Sequence, residues 1–124
     1  MIGKDPLKEL ASMLGYSKTH CLVIEKILEN NTPVDVYYIQ EKIGMSRSLV
    51  SKVLRDLWEN GILDRIRYNH RLLYRLNENF LTYMYDSFMK NIKKNIDEIN
   101  YRYGEKMKEQ VEKIRKHLIK YWEE

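Results

Sequence analysis

The chain has 124 residues, with 22 Lys and Arg against 18 Asp and Glu, for a formal net charge of +4. That length holds one compact domain, or a small domain with an extension, and excludes a large multidomain enzyme. Charged residues make up 32% and the mean hydropathy is −0.60, a surplus that a long solvated helix would satisfy. The single cysteine, Cys21, leaves no intramolecular disulfide. The opening Met1-Ile2-Gly3-Lys4-Asp5-Pro6 lacks the apolar core of a signal peptide, and no run of about eighteen apolar residues occurs. These features predict a soluble, cytoplasmic protein without a membrane span.

Asp5 and Pro6 fit the N-cap and first position of a helix whose stripe is Leu7, Leu10, Ala11 and Leu14, closed by Gly15. Ser17 caps a second helix, with Leu22, Val23, Ile27 and Leu28 at helical spacing, stopped by Asn30-Asn31-Thr32-Pro33. Asp35 caps a third, short helix carrying Val36, Ile39 and Ile43, ended by Gly44. After Met45, Ser46 caps a fourth that runs to about Asn60, with Gly61 just past its end. At 100° per residue Val50, Val53, Leu54 and Leu57 share its packing side, while Ser48, Ser51, Lys52 and Arg55 project from the other and Arg47 lies at the N-terminal edge.

Beyond Gly61 the period becomes two. Ile66 and Tyr68 alternate with Arg65 and Arg67, and Leu72, Tyr74 and Leu76 with Arg71, Leu73 and Arg75, the runs joined by Asn69-His70. A tight β-hairpin is predicted, although His70 is a weaker choice than glycine where φ is positive. From Asn77, a fitting N-cap, no proline interrupts the remaining 47 residues and apolar residues return every three or four positions to Trp122. One continuous helix from Glu78 would be roughly 67 Å long. Leu81, Ile92, Tyr103 and Ile114 recur every eleven residues, as do Tyr85, Ile96, Met107 and Leu118, with Phe88 and Ile99 as a third row. That period predicts a nearly straight or slightly right-handed seam. Gly104 is read as tolerated within the helix, with a helical hairpin broken there as the alternative.

Helix, turn, serine-capped helix and basic hairpin together make a winged helix-turn-helix, in a mainly α fold with one small β-hairpin. Arg47, Ser48, Ser51, Lys52 and Arg55 are the candidate contacts to major-groove base edges of double-stranded DNA. Arg67, Asn69, His70 and Arg71 are candidates for a minor groove or phosphates. Charge supports this placement. Residues 1–46 balance at −1, residues 47–75 at +4 and residues 76–124 at +1, so the net charge sits on the proposed recognition helix and wing. The competing account is a solvated helix face beside a solubilising edge hairpin.

The stretch from Tyr16-Ser17-Lys18-Thr19 through Ile39-Gln40-Glu41-Lys42-Ile43-Gly44-Met45-Ser46-Arg47-Ser48-Leu49-Val50-Ser51-Lys52-Val53-Leu54 to Leu57-Trp58-Glu59-Asn60-Gly61-Ile62-Leu63 resembles the winged-helix core of archaeal TrmB-type and bacterial MarR- and ArsR-type regulators, over about residues 17–76. With the long C-terminal helix the organisation is similar to the small archaeal Lrs-type regulators. The resemblance implies a homodimer joined by an antiparallel coiled coil. Gln40 departs from the pattern, which usually has a small residue there.

The chain thus divides into a DNA-binding domain, 1–76, and a dimerisation helix, 77–124, whose apolar stripe argues for a partner helix. Phe88, Ile92, Ile96, Ile99, Tyr103, Met107, Val111, Ile114 and Leu118 are the expected dimer contacts, while Leu81, Met84, Tyr85 and Phe88 are suited to fold back onto the domain. Most of the ten tyrosines, including Tyr83, Tyr101 and Tyr121, read as packing residues; Tyr37 and Tyr38 fit phosphate contact or packing equally. His20, His70 and His117 have no metal-ligand pairing, and neither a cofactor motif nor catalytic machinery is visible. The expected function is a sequence-specific transcription regulator, most simply a repressor that occludes promoter DNA. An architectural chromatin protein of weak sequence preference and a protein-interaction adaptor are the rivals.

Overall fold

Each of the first four helices starts on a side chain that accepts a hydrogen bond from its own first turn. In a computed structural model, which describes residues 5–122 and the side chains of residues 5–120, these helices are α1 (Pro6–Met13), α2 (Lys18–Leu28), α3 (Val36–Ile43) and α4 (Arg47–Glu59). The opening residues 1–4 and the side chains of Tyr121 and Trp122 lie outside the described part. Asp5 accepts from the Leu7 amide at 3.0 Å, Ser17 from His20 at 3.2 Å, Asp35 from Tyr38 at 2.9 Å and Ser46 from Leu49 at 3.3 Å. All four expected caps form, each worth about 1 kcal/mol.

The strands β1 (Leu63–Tyr68) and β2 (Arg71–Leu76) pair antiparallel from Leu63 opposite Leu76 to Tyr68 opposite Arg71. Asn69 and His70 between them both have positive φ, 49° and 65°, so the loop is a two-residue type I′ turn in which His70 takes the left-handed conformation. Val34 adds a one-residue third strand: its N–H donates to the Tyr74 carbonyl at 2.9 Å, and the Tyr74 N–H returns a bond at 2.7 Å.

The chain divides into two compact units, 1–88 and 89–124, with the boundary inside α5 (Phe80–Trp122). In the first unit Val23, Ile24 and Ile27 of α2, Ile39 of α3, Val50, Val53, Leu54 and Leu57 of α4, and Ile62, Leu63 and Met84 form one buried cluster. On α2 the buried face is Cys21, Val23, Ile24 and Ile27, so Ile24 replaces the expected Leu28, which is 52% exposed at the helix end. Gln40 is half-buried beside the fully buried Ile39. Met84 packs in this core as expected, whereas Leu81 and Tyr85 are exposed.

The second unit departs from the straight helix. Tyr103 has φ −125° and ψ 21°, outside the helical region, and the Arg115 guanidinium reaches the Asp97 carboxylate at 2.7 Å. Eighteen residues of straight helix would separate these two by about 27 Å. The chain therefore doubles back at Tyr103, and the hairpin alternative replaces the continuous 67 Å rod. Inward positions on the first arm are Met89, Ile92, Ile96 and Asn100; on the second they are Gly104, Met107, Val111, Arg115 and Leu118. Their spacing of three and four keeps the eleven-residue interval of the Ile96, Met107 and Leu118 row but folds it into a hairpin in place of one straight seam. Of the rows read in sequence, Ile96, Met107 and Leu118 turn inward, while Tyr103 and Ile114 remain exposed. Gly104 does not close the helix through a positive φ; the break falls one residue earlier, on Tyr103.

Candidate nucleic-acid interface

The amphipathic pattern of α4 decides which side chains can meet a partner. Val50, Val53, Leu54 and Leu57 are buried, which leaves Arg47, Ser48, Lys52 and Arg55 exposed and Ser51 half-buried on the opposite side. Burying the apolar stripe thus orients the polar one. On the wing, Arg67, Asn69, His70 and Arg71 are all exposed.

Between α4, the N-terminal end of α3 and the wing lies a cleft of about 500 Å³. It gathers Arg47, Ser51 and Arg55 from α4, Arg65, His70 and Arg71 from the wing, and Tyr37 from α3. Lys52, Ser48, Arg67 and Asn69 do not line it. Two of the guanidiniums rest on aromatic rings: that of Arg47 is 4.9 Å from the Tyr37 ring centre, and that of Arg65 is 3.6 Å from the Trp58 ring centre. Such cation–π contact steadies a guanidinium without neutralising its charge.

Arg71 has a different role from the other wing residues. Its guanidinium pairs with Asp35, a buried carboxylate that also caps α3. Burial pushes the Asp35 carboxyl upward, but the Tyr38 amide and the Arg71 guanidinium outweigh it and hold the group below the usual carboxylate range. Together with the Val34–Tyr74 bridge, this pair ties the wing to the start of α3. A second network at the wing's base joins Asp64 to Asn77 at 2.8 Å and to Arg75 at 3.3 Å.

Arg65 is the member that sequence reasoning missed. It lies two residues before Arg67 on β1 and so shares its face, which was the available signal. His20 bridges Ser17 at 2.5 Å and Asp56 at 3.4 Å, linking the start of α2 to α4. Cys21 is buried, and burial pushes its thiol pKa up against the opposing charge of Lys8, which disfavours the reactive thiolate. Among the described residues no group of three or more His, Cys, Asp or Glu side chains could hold a metal ion, and no helix is long and apolar enough to cross a membrane.

No protein-family model matches the chain, and no curated protein matches its sequence. Solved structures do share its fold. A protein of the thermoacidophilic archaeon Sulfolobus tokodaii is 20% identical, with a TM-score of 0.56 over 69% of this chain and 86% of that one. A Methanosarcina mazei protein described as a possible transcriptional regulator is 15% identical, with a TM-score of 0.56 over 76% and 84%. A MarR family protein of Bacillus stearothermophilus is 14% identical, with a TM-score of 0.50 over 95% and 86%. The buried core, the capped α3–α4 pair and the type I′ wing therefore build a winged-helix fold, which the chain shares with these solved structures, a MarR family protein and a possible transcriptional regulator among them.

Proposed function

We propose that this chain is a DNA-binding transcription regulator that acts as a homodimer and represses by occupying its site. The carrying observation is the exposed polar face of α4, with Arg47, Ser48, Lys52 and Arg55 displayed beside the wing cations of a winged helix-turn-helix. In this reading residues 1–76 bind DNA: α4 enters a major groove, Ser48, Ser51 and the cations meet base edges and phosphates, and Arg67, Asn69 and His70 approach the neighbouring minor groove or backbone. Arg71 contributes by holding the wing through Asp35.

Residues 77–124 supply the second-copy contact. Ile99, Tyr103 and Ile114 keep 38%, 54% and 45% of their surface exposed, which suits them to a partner, whereas Ile96, Met107 and Val111 stabilise the hairpin from within. Phe88, Ile92 and Leu118 are half-buried and can serve both surfaces.

The decisive experiment is duplex binding across a salt series with the Arg47→Ala, Lys52→Ala, Arg55→Ala triple variant. Loss of at least tenfold in affinity is expected, with a salt slope lower by about one for each phosphate contact removed. Unchanged affinity would overturn the α4 assignment, and equal binding to all duplexes would replace a regulator by an architectural protein.

A further inference from the structure

The cleft between α4 and the wing holds more positive charge than its own structure neutralises. Four arginines and His70 line it, against one carboxylate, Asp35, which is already paired with Arg71. Among the described residues Arg47, Arg55 and Arg65 have no carboxylate partner. Two of the three are instead steadied by aromatic rings, so they are held in place without being neutralised. Like charges gathered in a concavity repel one another, and the field they focus there is offset most effectively by a multivalent anion.

Guanidinium groups in a fixed orientation match phosphate oxygens in paired hydrogen bonds. The cleft's volume, about 500 Å³, lies within the roughly 300–1,000 Å³ usual for sites that enclose small molecules. Ser51 and Tyr37 add neutral hydroxyl groups to the lining. An apolar ligand would leave the arginines uncompensated, and a single monovalent anion would leave most of their charge unmatched.

We propose that this cleft is a subsite for a run of consecutive phosphate groups, held by Arg47, Arg55 and Arg65, with the Asp35–Arg71 pair fixing the wing that forms its far wall. The inference deepens the DNA-binding reading, since a backbone strand passing from the groove entered by α4 toward the wing presents this chemistry. A soluble oligophosphate presents the same anionic oxygens at closer spacing and higher charge, and would then compete with DNA for the same arginines.

The test uses the full chain, inorganic tripolyphosphate as the free probe, sulfate as the monomeric control, and a short DNA duplex, all at constant ionic strength. Calorimetry should show one saturable tripolyphosphate site per chain, bound at least tenfold more tightly than sulfate. Arg55→Gln and Arg65→Gln should each weaken it at least fivefold, whereas Lys18→Gln, an equal charge loss on exposed α2 surface, should change it less than twofold. Arg65→Lys keeps the charge but loses the planar stack on Trp58, and should fall between wild type and Arg65→Gln; thermal melts establish that each variant is folded. If the source is a DNA strand alone, duplex affinity follows the same order of variants while tripolyphosphate does not saturate. If it is a soluble oligophosphate alone, tripolyphosphate follows that order and the duplex does not bind, which overturns the DNA reading and leaves the subsite standing. Equal responses of Arg55→Gln, Arg65→Gln and Lys18→Gln in both ligands would overturn the subsite, and retained duplex binding in that case would leave the DNA reading intact.

Discussion

The two units of this chain are stabilised in different ways. Residues 1–88 enclose a contiguous core in which Ile24, Ile39, Leu54, Leu57, Ile62, Leu63 and Met84 are all less than 2% exposed, drawn from helices and strands far apart in sequence. Residues 89–120 bury Met89, Ile96 and Val111 and leave Ile99, Tyr103, Ile114 and Ile119 substantially exposed. The first unit closes a core on itself and leaves only scattered large apolar residues such as Met13, Leu28 and Leu81 exposed. The second buries one face of a helical hairpin and leaves Ile99, Tyr103, Ile114 and Ile119 exposed on the other.

Core truncation separates the units most strongly. Leu57→Ala should cost about 3–4 kcal/mol, because the removed atoms leave a cavity among residues contributed by several elements. Val111→Ala removes less volume from a thinner core and should cost about 1–2 kcal/mol. Chemical denaturation gives the global loss, and amide exchange localises it: protection should fall throughout residues 1–88 for Leu57→Ala, but only within 89–120 for Val111→Ala. Equal loss in both units from either variant would show that they unfold together.

Asp35 comes next, since one carboxylate caps α3 and anchors the wing. Asp35→Ala should cost about 2 kcal/mol, summing a lost cap with a partly screened ion pair. The folded carboxyl has a lowered pKa, so its contribution is fully present above the unfolded value near 3.9 and disappears as pH falls through the folded one. Stability curves of wild type and Asp35→Asn should therefore differ at pH 7 and converge below about pH 4. Curves that stay parallel through that range would remove the ionised Asp35–Arg71 pair from the stability of the wing.

How much of this was legible in the sequence follows the same division. In the first unit the punctuation is chemical and local: Asp5, Ser17, Asp35 and Ser46 cap helices, and Gly15, Gly44 and Gly61 take positive φ. Residue type alone specifies such positions. The wing turn was legible from Asn69, even though His70 had to accept φ 65°. The Asp35–Arg71 pair was not, because 36 residues separate its members and nothing local to either announces the other. Arg65 on Trp58 escaped although only seven residues separate them, because one sits on β1 and the other on α4, and neither periodicity reports how the two elements pack. The break in α5 was legible only as the alternative offered by Gly104: Tyr101-Arg102-Tyr103-Gly104 carries no proline or Asx cap, and helical periodicity continues on both sides. A reversal that buries Ile96 and Val111 on facing arms, without a dedicated turn residue, leaves little local trace.

Two glycines give the finest comparison between a locally dictated turn and one set by packing. Gly61 has φ 80°, and a Cβ there would meet the Tyr83 ring at 3.1 Å, so Gly61→Ala combines backbone strain with a required shift of Tyr83 and should cost about 1–2 kcal/mol. Gly104 has no positive φ and open space where a Cβ would stand. Alanine there reduces the freedom of the unfolded chain and favours helical φ/ψ, so Gly104→Ala should raise stability by about 0.5–1 kcal/mol. Thermal melts of the two variants should thus move in opposite directions. If Gly104→Ala instead destabilises the chain and abolishes amide protection around Val111, the reversal at Tyr103 depends on the glycine itself, and the hairpin is as locally encoded as the turns of the first unit.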